Sequence, residues 1–253
     1  MKFVVGLRLQ VKDVPCSQSV VLHEFRRDHY DFEIQGHSPA ARQPKVHCRI
    51  VAVSLLPIFP LEVVLFPGAP LPLHIFEPRY KEMIAECLEQ KKPFGMVRAK
   101  ENAVAEVGCS AVIVNLMKQY DDGRMDISSE GRQRFTIVEL NHDRSFLQAE
   151  ISWFEDDEPA PLPGPQSESA IELHEQLFAV LGQDAEIDKN KNYLSFQLAS
   201  QLPVDLDFKQ AILEMKSERE RIETLIEYYR ATIPKVEQTL RARERASGNG
   251  HVH

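Results

Sequence analysis

The residues best suited to chemistry gather in three places. His74 stands between Leu73 and Ile75, Glu77 and Arg79 flank Pro78, and Arg124, Arg132 and Arg134 follow in the middle of the chain. An imidazole can act as acid, base or metal ligand near neutral pH, but one set in an apolar run is also what a hydrogen-bonded structural histidine looks like. Glu77 ahead of a helix start suits the positive end of the helix dipole, with a general-acid role as the sharper alternative. Arg79 there is placed to clamp a loop or a carboxylate. The three later arginines make an anion site if they converge and a solvated strand edge if they do not. Cys16, His23, His29, His37, His47 and Cys48 are ligand types that zinc prefers, yet their spacing matches no compact finger. No metal and no cofactor is expected. The phosphate-cradling GxxxxGK[ST], the dinucleotide GxGxxG, the GxSxG elbow, the HExxH pair and the HxE…PCxxC set are all missing, which removes the commonest signatures of nucleotide and hydrolytic chemistry.

These residues need a frame, and the hydrophobic pattern supplies one. From Leu55 to Glu155 short runs of Val, Ile and Phe are punctuated by Gly, Pro and Asp, the pattern of a barrel or sandwich. Leu147, Ala149, Ile151 and Trp153 alternate with Gln148, Glu150 and Ser152, predicting a strand with one buried and one wet face. Asp121-Asp122-Gly123-Arg124 supplies a turn between strands near Ala111–Met117 and Met125–Glu130. One helix interrupts the strands: Pro78 suits its first turn, and Tyr80, Met83, Ile84, Cys87 and Leu88 share a face.

A proline-rich run, Asp156–Ser167, cannot continue a ladder or a helix and reads as a linker, placed at 159–168 between a β-rich part (53–158) and a helical part (169–245). In the helical part Ile171, His174, Leu177, Phe178 and Leu181 form one stripe. A second helix runs about Asn192–Gln201, a third starts at Asp205 or Asp207, and Ser217-Glu-Arg-Glu220 spells a capping box for a long last helix. That helix carries Ile222, Ile226, Tyr229, Ile233, Val236 and Leu240, a stripe that packs inside a bundle or against a second copy of the chain, with Pro234 inside it. Residues 246–253 read as a tail.

Composition narrows the class. The chain has 253 residues, 43% hydrophobic and 27% charged, with a net charge of −8. That is ordinary globular composition with no broad basic surface for a phosphate backbone, so nucleic acid is disfavoured. The most apolar stretch, Val53–Phe76, is broken by Pro57, Pro60, Pro67, Pro70 and Pro72, which rules against a membrane helix. Four scattered cysteines and no secretory layout predict a reduced, cytoplasmic protein. Residues 1–52 show only brief apolar alternation, at Phe3–Leu9, and are expected to be either a loose tail or a segment upstream of the true start near Val51 or Val53.

The blocks Leu56–Gly68 (LPIFPLEVVLFPG), Leu71–Tyr80 (LPLHIFEPRY), Pro93–Val97 and Glu106–Cys109 resemble, in that order, the N-terminal substrate-binding domain of Lon proteases. Asp122-Gly123-Arg124, Glu130-Gly131-Arg132-Gln133-Arg134-Phe135 and the strand Phe146–Glu155 continue the resemblance, and Leu198–Ser217 is similar to the helical portion that follows. The first fifty residues resemble nothing in the family. The resemblance implies an α+β fold, a PUA-like β pseudobarrel with one embedded helix and then an all-α subdomain. It also implies a bacterial, stand-alone recognition module, since a chain ending at His253 leaves room for neither the AAA+ module nor the Ser-Lys peptidase of a full Lon protease. It carries over no catalytic residue.

The expected function is therefore non-enzymatic recognition of unfolded or tagged polypeptides through their apolar segments, as an adaptor, a holdase or a competitor of the cognate Lon protease. Leu65, Phe66, Pro67, His74 and Phe94 are candidates to line the groove, or else are core. Two other classes stay open: a small-ligand sensor or hydrolase anchored by Glu77, Arg79 and Arg134, which predicts that the three converge in one pocket, and RNA binding, which the −4 charge of residues 53–155 opposes.

Overall fold

The computed structural model describes residues 20–22, 32–34, 55–101, 103–158, 164–188 and 193–248. The chain divides at Val53 into two compact units. In the first, β1 (Val20–Leu22) and β2 (Phe32–Ile34) pair antiparallel. Everything below concerns the second, Ser54–His253.

Its strands are β3 (Leu56–Leu61), β4 (Pro70–Ile75), β5 (Phe94–Lys100), β6 (Ala103–Val104), β7 (Val107–Gln119), β8 (Met125–Asn141) and β9 (Gln148–Trp153), with α1 (Pro78–Gln90) between β4 and β5. Ladders run β3-β9-β8-β7-β5, and β5 returns to β3 in parallel, so these strands close into a ring. The fold is α+β, and the barrel is the expected pseudobarrel. Gly123 takes the positive φ, 80°, that the β7–β8 turn requires.

Both long strands outrun the ring. β8 gives its second half to β9 and its first half to β4. β5 accompanies β7 only through the Phe94↔Ala111 pair. The chain reaches Phe94 from a helix that ends in left-handed Lys91 and is followed by Pro93, so no strand lies there to pair with residues 112–119. The result is a three-stranded ribbon, β4-β8-β7, projecting past the barrel. Its inner face, with Ile75, Met125 and Ile127, packs on Tyr80, Met83, Ile84 and Cys87 of α1.

Four helices follow: α2 (Pro165–Val180), α3 (Leu194–Gln201), α4 (Leu206–Glu214) and α5 (Glu218–Gly248). Asp205 caps α4, its carboxylate accepting from Phe208 N at 2.8 Å, and Ser217 Oγ accepts from Glu220 N at the start of α5. The stripe of α5 is filled from within the chain as far as Ile233, with Val236 packed at its margin. Ile222, Leu225, Ile226, Tyr229 and Ile233 lie in one core with Ala170, Leu177 and Phe178 of α2, and that core also takes in Val64, Phe66 and Val107 from the barrel side.

Three expectations are corrected. Helix α2 begins at Pro165, inside the segment read as linker, because proline is tolerated where the first amides of a helix have no partner anyway. Asp156, at the head of that proline-rich run, is not loose but buried between two arginines. Trp153, expected on the buried face of its strand, is 49% exposed, because β3 pairs with β9 only at Gln148 and Ala149 and leaves the far end of β9 uncovered.

Candidate functional site

Three of the groove candidates are interior. Phe66 and Phe94 are fully buried and Leu65 nearly so: Phe66 stacks on Phe196 at 5.6 Å in the helical core, while Leu65 and Phe94 belong to the core under α1. Pro67 is half-buried in the turn before β4. They fill space rather than offer it, as the apolar periodicity alone could not reveal. Gly131 explains why this region is tight. Its N–H donates to Ala69 O at 3.0 Å, its carbonyl accepts from Gly68 N at 2.9 Å, and a Cβ there would strike the Phe66 carbonyl.

The charged candidates do not converge. Glu77 and Arg79 pair with each other at 2.8 Å at the entrance of α1, both well exposed. Arg79 also borders a shallow cavity of about 250 Å³ with Tyr80, His142 and Arg144, which includes neither Glu77 nor Arg134. Arg144 there is committed to Glu82 and Glu86. Arg124 pairs with Asp122, and Arg132 with Glu130. Arg134 lies in another place altogether, its side chain 4% exposed against that of Asp156. It donates to the carbonyls of Leu213 and Met215, both at 2.7 Å, and so ties β8 to the end of α4. Fully buried Arg221 grips Asp156 from the other side, and Glu218 and Ser195 complete the cluster. Burial pushes the Arg134 guanidinium below its ordinary pKa and Asp156 opposes the shift. The Nη groups of Arg134 and all three nitrogens of Arg221 are spent on the chain itself, which makes the knot a joint between β8, Asp156 and the helices. No signal local to Asp156 in the sequence marked it.

His74 is the candidate that remains at the surface. It lies on the outer face of the ribbon, in the row His74–Asp126–Lys118 across β4, β8 and β7. Its Nδ1 meets Asp126 Oδ1 at 2.5 Å, and Tyr120 Oη donates to Asp126 Oδ2 at 2.8 Å. These bonds, that of His74 foremost, hold the Asp126 carboxyl below its usual pKa. Lys118 and Arg124 stand over the Tyr120 ring at 4.4 and 4.9 Å, and Phe76 stacks beside His74. Asp126 fixes the orientation of the imidazole at the ribbon surface.

Around this row the ribbon shows apolar side chains to solvent. Phe76 is 59% exposed, and along β7 Val114, Leu116 and Met117 are 50%, 43% and 68% exposed. These were missed in the sequence, where they look like any other strand core. The signal that would have found them is the end of β5 at Phe94, which leaves this half of β7 on an open edge. Isolated exposed apolar residues are common on any surface, but these four gather on one projecting ribbon, Leu116 opposite inner-face Ile127 and Phe76 beside outer-face His74.

The model of the ATP-dependent protease La (LON) substrate-binding domain matches residues 55–230. The chain belongs to this family. Among related sequences, the Lon protease of Cytophaga hutchinsonii is 30% identical over 195 residues, covering 69% of the chain and 24% of that protein. Lon protease 1 of Hydrogenovibrio crunogenus is 26% identical over 201 residues, covering 73% and 24%. The chain thus matches about a quarter of the length of these Lon proteases, within the Lon substrate-binding region. Among solved structures, the Lon N-terminal domain protein from Xanthomonas campestris superposes with a TM-score of 0.57 at 25% identity, covering 70% of this chain and 99% of that one. The N-terminal domain of the Mycobacterium avium complex Lon protease gives 0.52 at 15% identity and shares the fold. The cysteines and histidines considered for zinc lie outside the described residues, among which no cluster of His, Cys, Asp and Glu is set to hold a metal, and no helix is long and apolar enough to cross a membrane.

Proposed function

We propose that the chain is a non-enzymatic module that binds exposed apolar segments of client polypeptides on the outer face of the β4-β8-β7 ribbon, and that it works as an adaptor beside a Lon protease. One observation carries the reading: in a member of a substrate-binding family, Phe76, Val114 and Met117 show their side chains to solvent on a ribbon that stands clear of the barrel. Such a patch gains affinity by removing apolar area from water, at roughly 25 cal/mol per Å². The small-ligand reading loses its support, since it required Glu77, Arg79 and Arg134 to meet.

The test is fluorescence anisotropy of a labelled, reduced and alkylated model protein against the full chain and against the variant Val114→Asp/Met117→Asp. Both positions are exposed, so the variant keeps its circular dichroism spectrum and melting temperature, and its affinity for the unfolded probe falls by about tenfold or more. Equal affinity of the two proteins moves recognition off the ribbon.

A further inference from the structure

We infer that the ribbon takes hold of its client through side chains and not by adding the client as a further strand, and that the segment it fits is apolar with a carboxylate next to its anchor. This rests on the function proposed above and specifies its mode. A projecting ribbon has two open rims, and an extended peptide would ordinarily zip onto either by main-chain hydrogen bonds. Both rims are poorly suited to it. On the β4 side, Leu71 is paired with Ser129, whose Oγ also donates to Leu71 O at 2.7 Å. Proline has no N–H to give to β8, so the bonding amides of β4 come from Leu71, Leu73 and Ile75, and Pro70 and Pro72 occupy the positions whose backbone faces the rim. An incoming strand finds no donor at those two positions.

On the β7 side the register against β8 shifts twice within the ribbon, between Ile113 and Asn115 and again between Leu116 and Lys118. Each bulge bends the strand and breaks the regular spacing that a new ladder would need. The residues at the two shifts are Val114 and Met117, among the most exposed apolar side chains of the ribbon. The same irregularity that spoils the edge for backbone pairing turns these side chains outward.

Charge selects the occupant. The acids on the ribbon's strands are already engaged, Asp126 by His74 and Tyr120, and Glu130 by Arg132. In the turn Asp122 is held by Arg124, and Asp121 lies beside it. Lys118, directly after Met117, rests over Tyr120 opposite Asp126, whose two carboxylate oxygens are already bonded by His74 and Tyr120. A client carboxylate beside an apolar anchor on Met117 would meet it.

Three labelled synthetic peptides test this against the full chain by anisotropy: one of leucines, a phenylalanine and one glutamate; its twin with alternate backbone amides N-methylated; and a third with glutamine for the glutamate. The inference expects the N-methylated twin to bind within about threefold of its parent. It expects the glutamine peptide to bind about fivefold more weakly, a difference that disappears in Lys118→Gln. A loss of about tenfold or more on N-methylation establishes strand addition and overturns the mode while leaving the proposed function standing. Equal binding of glutamate and glutamine peptides overturns the choice of occupant. Failure of all three to bind, beside an unfolded probe that also fails, sinks the proposed function and the inference with it.

Discussion

Arg221 holds both oxygens of Asp156, Nη1 to Oδ1 at 2.9 Å and Nη2 to Oδ2 at 2.6 Å. This fork joins the longest helix to the chain just beyond the last barrel strand, and Arg134 reaches the same carboxylate from β8. A buried ion pair adds little over a well-packed apolar contact, but removing one partner strands the rest.

Asp156→Ala leaves two guanidinium groups buried without their shared counter-ion. It is expected to cost about 3–5 kcal/mol, read as a lower urea midpoint in a denaturation curve followed by circular dichroism. A midpoint within error of the wild type shows that the knot is dispensable. The cluster lies away from the ribbon residues, so peptide affinity measured well below the melting temperature stays unchanged.

Gly131→Ala tests the close approach of two chain segments. Because the added methyl would meet the Phe66 carbonyl, a backbone atom that cannot swing aside, the variant loses about 1–3 kcal/mol. The control is Gly182→Ala, which meets nothing within 4 Å but must hold a φ of 70°. Its smaller loss, on the order of 1 kcal/mol, reports backbone conformation alone. Equal losses in a thermal melt contradict the clash.

His174 gives the helical half an acid sensitivity. The imidazole is fully buried, with its Nδ1 2.8 Å from Tyr229 Oη, and burial pushes it down to about 4 from an ordinary 6.5, with Gln201 opposing. Above pH 6.5 the ring is neutral whether the chain is folded or not, and stability does not depend on it. Between pH 6.5 and about 4 the unfolded chain takes up a proton that the folded chain refuses, so stability falls as the pH falls, and the loss levels off below 4. Its size is at most about 3 kcal/mol. Urea midpoints at pH 7 and pH 4.5 drop further for the wild type than for His174→Gln. Identical drops refute the burial account.

Much of the local structure was written in short-range terms. Pro78 opens α1 and Asp205 caps α4 as their chemistry demands, and Gly123 turns the hairpin, because each depends only on neighbours in the chain. The buried stripes of α1 and α5 followed from a 3.6-residue period. The site was less legible. Phe66 and Phe94 look no different in sequence from Phe76 and Met117, yet two are core and two face water, and for Met117 the difference is set by where β5 stops beside β7. The role of Asp156 was hidden for the same reason: its partners are Arg134 and Arg221, far off in the chain, and proline-rich surroundings pointed to a loose segment. His74 was foreseen as a structural or binding residue, and its partners Asp126 and Tyr120 became visible only once β4 and β7 were set on either side of β8.

The parallel pairing of β3 with β5, and its antiparallel pairing with β9, also bear on how the chain is made. On a ribosome β3 emerges early and finds its second neighbour only when β9 has followed it out, on the order of five seconds or more later at 5–20 residues per second. Until then Ile58 and Phe59 have no closed barrel to enter. A protein proposed to attend to the unfinished segments of others must itself pass through synthesis as one of them, exposed for that interval to the same helpers and the same proteases.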